Sequence, residues 1–97
     1  NPMVEKSILE HVQQNYPHVP FYVVNDDLVK IPAGWLIETS GYKGFRRGDA
    51  GVHTKQALVI VNYGEATGKE LLDLSEEIQR EVFAKFGIAI EAEVNII

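Results

Sequence analysis

Residues 57–97 read ALVIVNYGEATGKELLDLSEEIQREVFAKFGIAIEAEVNII and carry the strongest secondary-structure signals of the chain. The apolar run ALVIVN is typical of a central strand covered on one or both faces. Thr67-Gly68-Lys69-Glu70 has the capping-box pattern, which predicts the start of a helix at this point. A single apolar stripe follows at helical spacing, and Gly87 ends it. Its members are Leu71, Leu74, Ile78, Val82 and Phe86.

The last ten residues alternate, as a strand with one buried face does. Ile88, Ile90, Ala92, Val94 and Ile96 point one way, while Ala89, Glu91, Glu93 and Asn95 point the other. Glu91 and Glu93 would lie roughly 6–7 Å apart on the polar face. Such a pair can perform acid/base chemistry, although a solvated strand face is the more common reason for two acids at this spacing.

The first half of the chain predicts helical and extended segments in turn. Residues 1–16 have a helical apolar face, with Asn1 as a cap and Pro2 at the first helical position. Two strand-like runs, 21–24 and 28–31, flank a turn at 25–27 and predict a hairpin. Residues 33–41 predict a short helix that ends at Gly41, and residues 42–56 predict a glycine-rich loop. We therefore expect one α+β domain over 1–97, with two layers and a mostly antiparallel sheet packed with helices.

The amino-acid composition excludes several classes of partner and of catalytic site. The chain has 97 residues, a net charge of -5 and no cysteine. The acidic balance disfavours nucleic acid and anionic membranes as partners, and the lack of cysteine excludes thiolate chemistry. The three histidines have no two-ligand spacing, so no metal is predicted. With no signal-like or membrane-spanning stretch, the cytoplasm is the expected location.

Lys43, Arg46 and Arg47 concentrate three of the nine basic residues in the glycine-rich loop. Guanidinium groups and glycine backbones suit phosphate or carboxylate, but a surface loop whose charges offset nearby acids explains the same residues. Gln56, before the apolar run, and Tyr22, at the start of the hairpin, are either ligand contacts or strand-end hydrogen-bonding groups. Residue patterns leave these alternatives open.

Residues 33–97 resemble the C-terminal domain of the UDP-N-acetylenolpyruvoylglucosamine reductases. The matching motifs, in unbroken order, are AGWLIE, KG, AGVH, QALVIVN, ATG and KFG…EAEV. Residues 1–31 resemble the longer insertion of that family's first type. The resemblance implies an NADPH- and FAD-dependent enzyme that makes UDP-N-acetylmuramate for peptidoglycan. It also implies that FAD is held by two other domains, so this fragment alone is expected neither to bind FAD nor to turn over.

The resemblance also implies the site residues. Glu93 matches the family's catalytic glutamate, which acts beside a proton-donating serine in an SFFKNP-like motif; only Asn1 and Pro2 of that motif lie in this chain. Asn1 is then a substrate contact near the diphosphate, and Gln56, Lys43 and Tyr22 match positions that face the UDP-sugar. Asn95 stands where some relatives carry arginine, and the 43–47 loop is expected to contribute modestly to anion binding. The alternative is a stand-alone binding module without a reaction, because a fold does not fix a function.

Overall fold

Two small sheets and three helices make up the part of the chain that the computed structural model describes, residues 1–91 and 95–96. The elements in chain order are β1 (Met3–Glu5), α1 (Lys6–Asn15), β2 (Tyr22–Val23), β3 (Leu28–Lys30), α2 (Ala33–Thr39), β4 (Arg46–Arg47), β5 (Ala50–Val52), β6 (Val59–Asn62), α3 (Gly68–Phe86) and β7 (Asn95–Ile96). All strand pairs except β6–β7 are antiparallel. The predicted α+β class is confirmed, with two sheets in place of one.

The first sheet has the order β1-β3-β2, and its hairpin β2–β3 is the one that the sequence predicts. Asn25 forms the turn because its Oδ1 accepts hydrogen bonds from the backbone N–H groups of Asp27 and Leu28, at 2.8 and 2.9 Å. Local bonds of this kind are what make Asn a turn residue. In the register, Lys30 lies opposite Met3 on one side and Tyr22 on the other.

The helix predicted from residue 1 is wrong at its start. Residues 3–5 form β1 against β3, and α1 begins only at Lys6. Val4 pairs with the fully buried Val29, so tertiary pairing outweighs the local helical pattern here. Asn1 consequently caps a different helix, because its Oδ1 accepts a hydrogen bond of 3.3 Å from the backbone N–H of Ala33 at the start of α2.

The second sheet has the order β4-β5-β6-β7, which places β6 inside the sheet as predicted for the ALVIVN run. The glycine-rich loop predicted over 42–56 is wrong in part, because β4 and β5 form a hairpin within it. Gly48 has a φ of 60° at the first position of its two-residue turn, the conformation that a II′ hairpin turn requires. All three residues of β5 are buried and small, so no polar alternation marks the strand in the sequence.

Two predicted helix ends are confirmed, the start of α3 and the end of α2. Thr67 Oγ1 accepts a hydrogen bond from the Glu70 backbone N–H, and Glu70 Oε1 accepts one from the Thr67 N–H, at 3.1 and 3.2 Å. Gly41, with a φ of 91°, ends α2 in a Schellman motif. Its N–H donates to Glu38 O, and the next N–H, of Tyr42, donates to Ile37 O.

One hydrophobic core receives side chains from both sheets and all three helices, including every member of the α3 stripe. The alternation predicted after Gly87 is present at residues 88–91, where Ile88 and Ile90 are buried while Ala89 and Glu91 are exposed. These four residues are not in a strand, however, and regular pairing with β6 occurs at 95–96. Within the described residues, no helix is long and apolar enough to cross a membrane.

Candidate functional site

An open cleft of about 420 Å³ lies where the beginning of the chain meets the segment that leaves α3. It is bounded by the start of β1, the start of α2, the turn before β6 and the residues after Gly87. The lining residues are Asn1, Pro2, Met3, Ala33, Leu58, Ala89, Ile90 and Glu91. Six of the eight lining residues are apolar, and Asn1 and Glu91 contribute the two polar side chains. Apolar walls with a few polar groups are common in small-molecule sites.

Asn1 is fixed at the edge of this cleft by its bond to Ala33. Because Oδ1 accepts the Ala33 N–H, the two Nδ2 hydrogens of the amide remain as donors. They have no protein acceptor among the described residues. The predicted substrate-contacting asparagine therefore presents hydrogen-bond donors, a chemistry that suits phosphate, carboxylate or carbonyl oxygens.

Glu91 is an exposed carboxylate in the cleft wall, directly after the buried Ile90. Sequence reasoning paired Glu91 with Glu93 on one strand face but did not assign Glu91 to the site, because the family resemblance selects only Glu93. Glu93 lies outside the described residues, so its role stays a prediction. The geometry does place the chain two residues before Glu93 at the same cleft as Asn1.

The other three predicted contacts are not part of this cleft. Gln56 is exposed in the turn before β6, where its backbone carbonyl accepts from the Val59 N–H at 3.0 Å. Tyr22 lies on the edge strand β2 with 61% of its surface exposed. Lys43 Nζ lies 3.4 Å from a carboxylate oxygen of Glu38. Of the four substrate-binding residues predicted, the cleft lining thus includes only Asn1.

The basic residues of the 43–47 loop are each paired with an acid of this same domain. Besides Lys43–Glu38, the pairs are Arg46–Asp49 and Arg47–Glu77, both at 3.0 Å. The Arg46 guanidinium also lies 4.0 Å from the centre of the Tyr63 ring, within cation–π range. These contacts favour the interpretation of the loop as a surface segment whose charges offset nearby acids.

Tyr42, Arg47 and Glu77 form a small network between the β4–β5 hairpin region and α3. The Tyr42 hydroxyl donates to Glu77 Oε2 at 2.9 Å, and Arg47 donates to both oxygens of the same carboxylate. Hydrogen bonding from Arg47 lowers the pKa of Glu77. Burial, followed by the bond to Glu77, raises the pKa of Tyr42 to about 12. The network stabilises the ionised acid and the neutral phenol, which suits a structural contact better than proton transfer.

Fold and cleft together define a small α+β domain with an open cleft at its N-terminal residues. The family model for the C-terminal domain of UDP-N-acetylenolpyruvoylglucosamine reductase matches residues 1–97. The chain belongs to this family, so the resemblance found in the sequence is confirmed.

Curated relatives that carry the name UDP-N-acetylenolpyruvoylglucosamine reductase match along nearly the full chain. The protein of Flavobacterium johnsoniae is 58% identical over 97 residues, which are the whole chain and 29% of the relative. That of Bacteroides fragilis is 50% identical over 97 residues, again 29% of its length. That of Pseudomonas putida is 47% identical over 96 residues, or 99% of the chain and 28% of the relative. The chain therefore spans less than a third of the relatives it matches.

Proposed function

We propose that this chain is the substrate-binding domain of a flavin-dependent reductase that converts UDP-N-acetylglucosamine enolpyruvate to UDP-N-acetylmuramate for peptidoglycan. The observation that carries the proposal is the match of the family model over the whole chain. It is supported by the presence of Asn1 and of Glu91, two residues before Glu93, in the lining of the same cleft. A nucleotide sugar is a cytoplasmic metabolite, so we place the enzyme in the cytoplasm and expect neither membrane nor nucleic acid as a partner.

The cleft residues that the structure describes include neither glycine, lysine nor arginine, so they supply none of the groups that usually hold a pyrophosphate. This applies to FAD and NADPH and equally to the diphosphate of the UDP-sugar, which needs contacts outside the described cleft lining. We assign FAD and NADPH to the remainder of the longer protein, which would be the partner of this domain, as the family resemblance implies. Reduced FAD would supply the hydride.

The residues of this chain act on the substrate. Reduction of an enolpyruvyl double bond needs a hydride on one carbon and a proton on the other, and it passes through a carbanion next to the carboxylate. We propose that Glu93 places or renews the proton that an upstream serine donates, and that it helps to stabilise the enol-like intermediate. The Nδ2 donors of Asn1 would hold an anionic oxygen of the substrate, with Gln56, Lys43 and Tyr22 as further contacts that the resemblance implies.

The test uses the full-length protein and the substitution Glu93→Gln. We expect a loss of kcat of roughly 10²- to 10⁴-fold, the size typical of a general acid/base group. The flavin absorbance should be unchanged, because Glu93 does not hold the flavin in this proposal. Glu10→Gln is the matched control, since Glu10 is an exposed acid of α1 that does not line the cleft.

Two outcomes would contradict different parts of the proposal. Near-normal kcat for Glu93→Gln would remove the catalytic assignment while leaving the domain's identity intact. Absence of both flavin absorbance and enolpyruvyl reduction in the wild-type full-length protein would refute the reductase function and favour a binding module.

A further inference from the structure

A second concavity adjoins the cleft on the side of α3, and we call it the α3 depression. It has a volume of about 310 Å³ and is lined by Gln79, Arg80, Phe83, Ala89 and Ile90. Ala89 and Ile90 also line the cleft, so the two concavities share a wall. One continuous surface therefore runs from the cleft to the last turns of α3.

This surface carries apolar side chains that the core of the domain does not use. Phe83 is 58% exposed, although the apolar stripe of α3 is buried along its whole length. Leu58, in the wall of the cleft, is 46% exposed. Isolated exposed hydrophobic residues are ordinary on a protein surface. Phe83 and Leu58 are different because they line connected concavities, and exposed apolar surface of this kind marks an interaction site.

The composition of the α3 depression suits contact with another protein surface. Its described lining contains an aromatic residue and an arginine but no lysine, aspartate or glutamate. Interfaces between proteins are enriched in aromatic residues and arginine, and depleted in those three charged residues. The facing surface would be apolar opposite Phe83 and would offer a carboxylate or carbonyl oxygen to the Arg80 guanidinium.

We infer that the surface from Leu58 across Ala89 to Phe83 packs against the flavin-bearing part of the longer protein, an inference that rests on the proposed function. Hydride transfer needs reacting atoms within about 3–3.5 Å of each other, so the flavin must reach a substrate in the cleft. The part that carries the flavin must then cover the cleft. A body of domain size extends beyond a cleft of 420 Å³ and onto the shared wall.

The lengths of the relatives leave room for such a partner within the same protein. The chain corresponds to 29% of the Flavobacterium johnsoniae reductase, so more than two thirds of that protein lies outside the matched region. A second copy of this domain is the other possible occupant. It would block the approach of the flavin to the cleft, so we assign the surface to the longer protein itself.

The experiment measures how fast single thiols react in the full-length protein. This chain has no cysteine, so Phe83→Cys, Ala89→Cys and Ala84→Cys each add one thiol to the domain. Ala89→Cys keeps the Phe83 ring in place. Ala84 is the matched control, because it is exposed and lies about 100° further around α3 than Phe83. Peptide mass spectrometry follows alkylation by N-ethylmaleimide, and each rate is divided by the rate of the same variant in urea.

We expect the thiols at positions 83 and 89 to react at least tenfold more slowly than the thiol at position 84. The flavin absorbance and the reduction of the enolpyruvyl substrate are measured on the same samples. Light scattering gives the oligomeric state, and the slow reaction should persist in the monomer.

The inference is overturned if positions 83 and 89 react as fast as position 84 in a protein that carries flavin and reduces the substrate. It is also overturned if the slow reaction disappears when a dimer dissociates, since a second copy would then be the occupant. Slow reaction in a monomer that neither carries flavin nor reduces the substrate would refute the proposed reaction, while still supporting contact with the rest of the protein.

Discussion

Gly51 is the glycine whose lack of a side chain the fold uses most directly. A Cβ at this position would lie 2.9 Å from Cε2 of Tyr63 and 3.0 Å from the backbone oxygen of Phe45. Both neighbours are held in place, since Tyr63 packs under Arg46 and the Phe45 oxygen accepts the Val52 N–H. We expect Gly51→Ala to lower the free energy of unfolding by about 1–3 kcal/mol, as overpacking does. Urea denaturation of the 97-residue chain measures it.

Gly68 provides the matched control for that substitution. It lies in the first turn of α3, and a Cβ there would meet nothing within 4 Å. Gly68→Ala should therefore raise the free energy of unfolding by about 0.4–1 kcal/mol, because alanine restricts the unfolded chain. Equal stability of the Gly51→Ala variant and the wild type would show that Tyr63 does not pack closely over β5.

The roles of the candidate site residues could be predicted only in part from the residues themselves. Strand parity made Glu91 and Glu93 equivalent, and only resemblance to a family separated them. Lys43 and Arg47 looked like anion-binding residues because their acidic partners are not adjacent to them in the sequence. Glu77, which binds Arg47, is 30 residues away. Local sequence gives the charge of a residue but does not show whether a distant residue neutralises it.

Some helices and strands are easier to predict than others, because the residues that stabilise them are close in the sequence in some cases and distant in others. The capping box, apolar stripe and terminal glycine of α3 all lie within or next to the helix, so the sequence predicts both of its ends. β1 exists because Val4 meets Val29, and β5 exists because Gly51 meets Val61. These partners are distant from each other in the sequence. Strands of only three residues are too short to show a periodic pattern that would reveal such pairings. The family resemblance identified the domain but did not correct these two segments.

The contact between the hairpin region and α3 predicts a specific alkaline response. An unfolded tyrosine ionises near its ordinary pKa of 10.0, whereas the folded Tyr42 has a pKa of about 12. Between these values the unfolded state binds fewer protons than the native state, so stability falls as pH rises from about 10 to 12. Tyr42→Phe should remove this part of the pH dependence. It should also cost about 1 kcal/mol at neutral pH through the lost hydrogen bond to Glu77.

Urea denaturation of the wild type and of Tyr42→Phe at a series of pH values from 8 to 12 measures this loss of stability at alkaline pH. Tyr22→Phe is the control, because that exposed phenol has no hydrogen bond to a described residue and Tyr42 remains in place. The control should keep the alkaline slope of the wild type. An equally steep slope in Tyr42→Phe would show that another group is responsible.

At the scale of the whole molecule, the two sheets share one core. The only tryptophan, Trp35, lies at the junction of the three helices, with its ring 5.7 Å from that of Tyr16 after α1 and 5.6 Å from that of Phe86 in α3. The chain is elongated, with extents of 46 × 21 × 21 Å, so these contacts connect its parts. Loss of one sheet would expose core surface of the other, and this predicts a single cooperative transition.

Leu36 tests whether this shared core makes the two sheets interdependent. Its side chain is completely buried in α2, and removing it leaves a cavity, so Leu36→Ala should lower the free energy of unfolding by about 2–5 kcal/mol. The fluorescence of Trp35 and far-UV circular dichroism should still report one coincident urea transition, shifted to lower denaturant. Leu72→Ala is the control, because Leu72 is 53% exposed on α3, and it should change stability by less than about 1 kcal/mol. Two separated transitions in the Leu36→Ala protein would show that the two sheets fold independently.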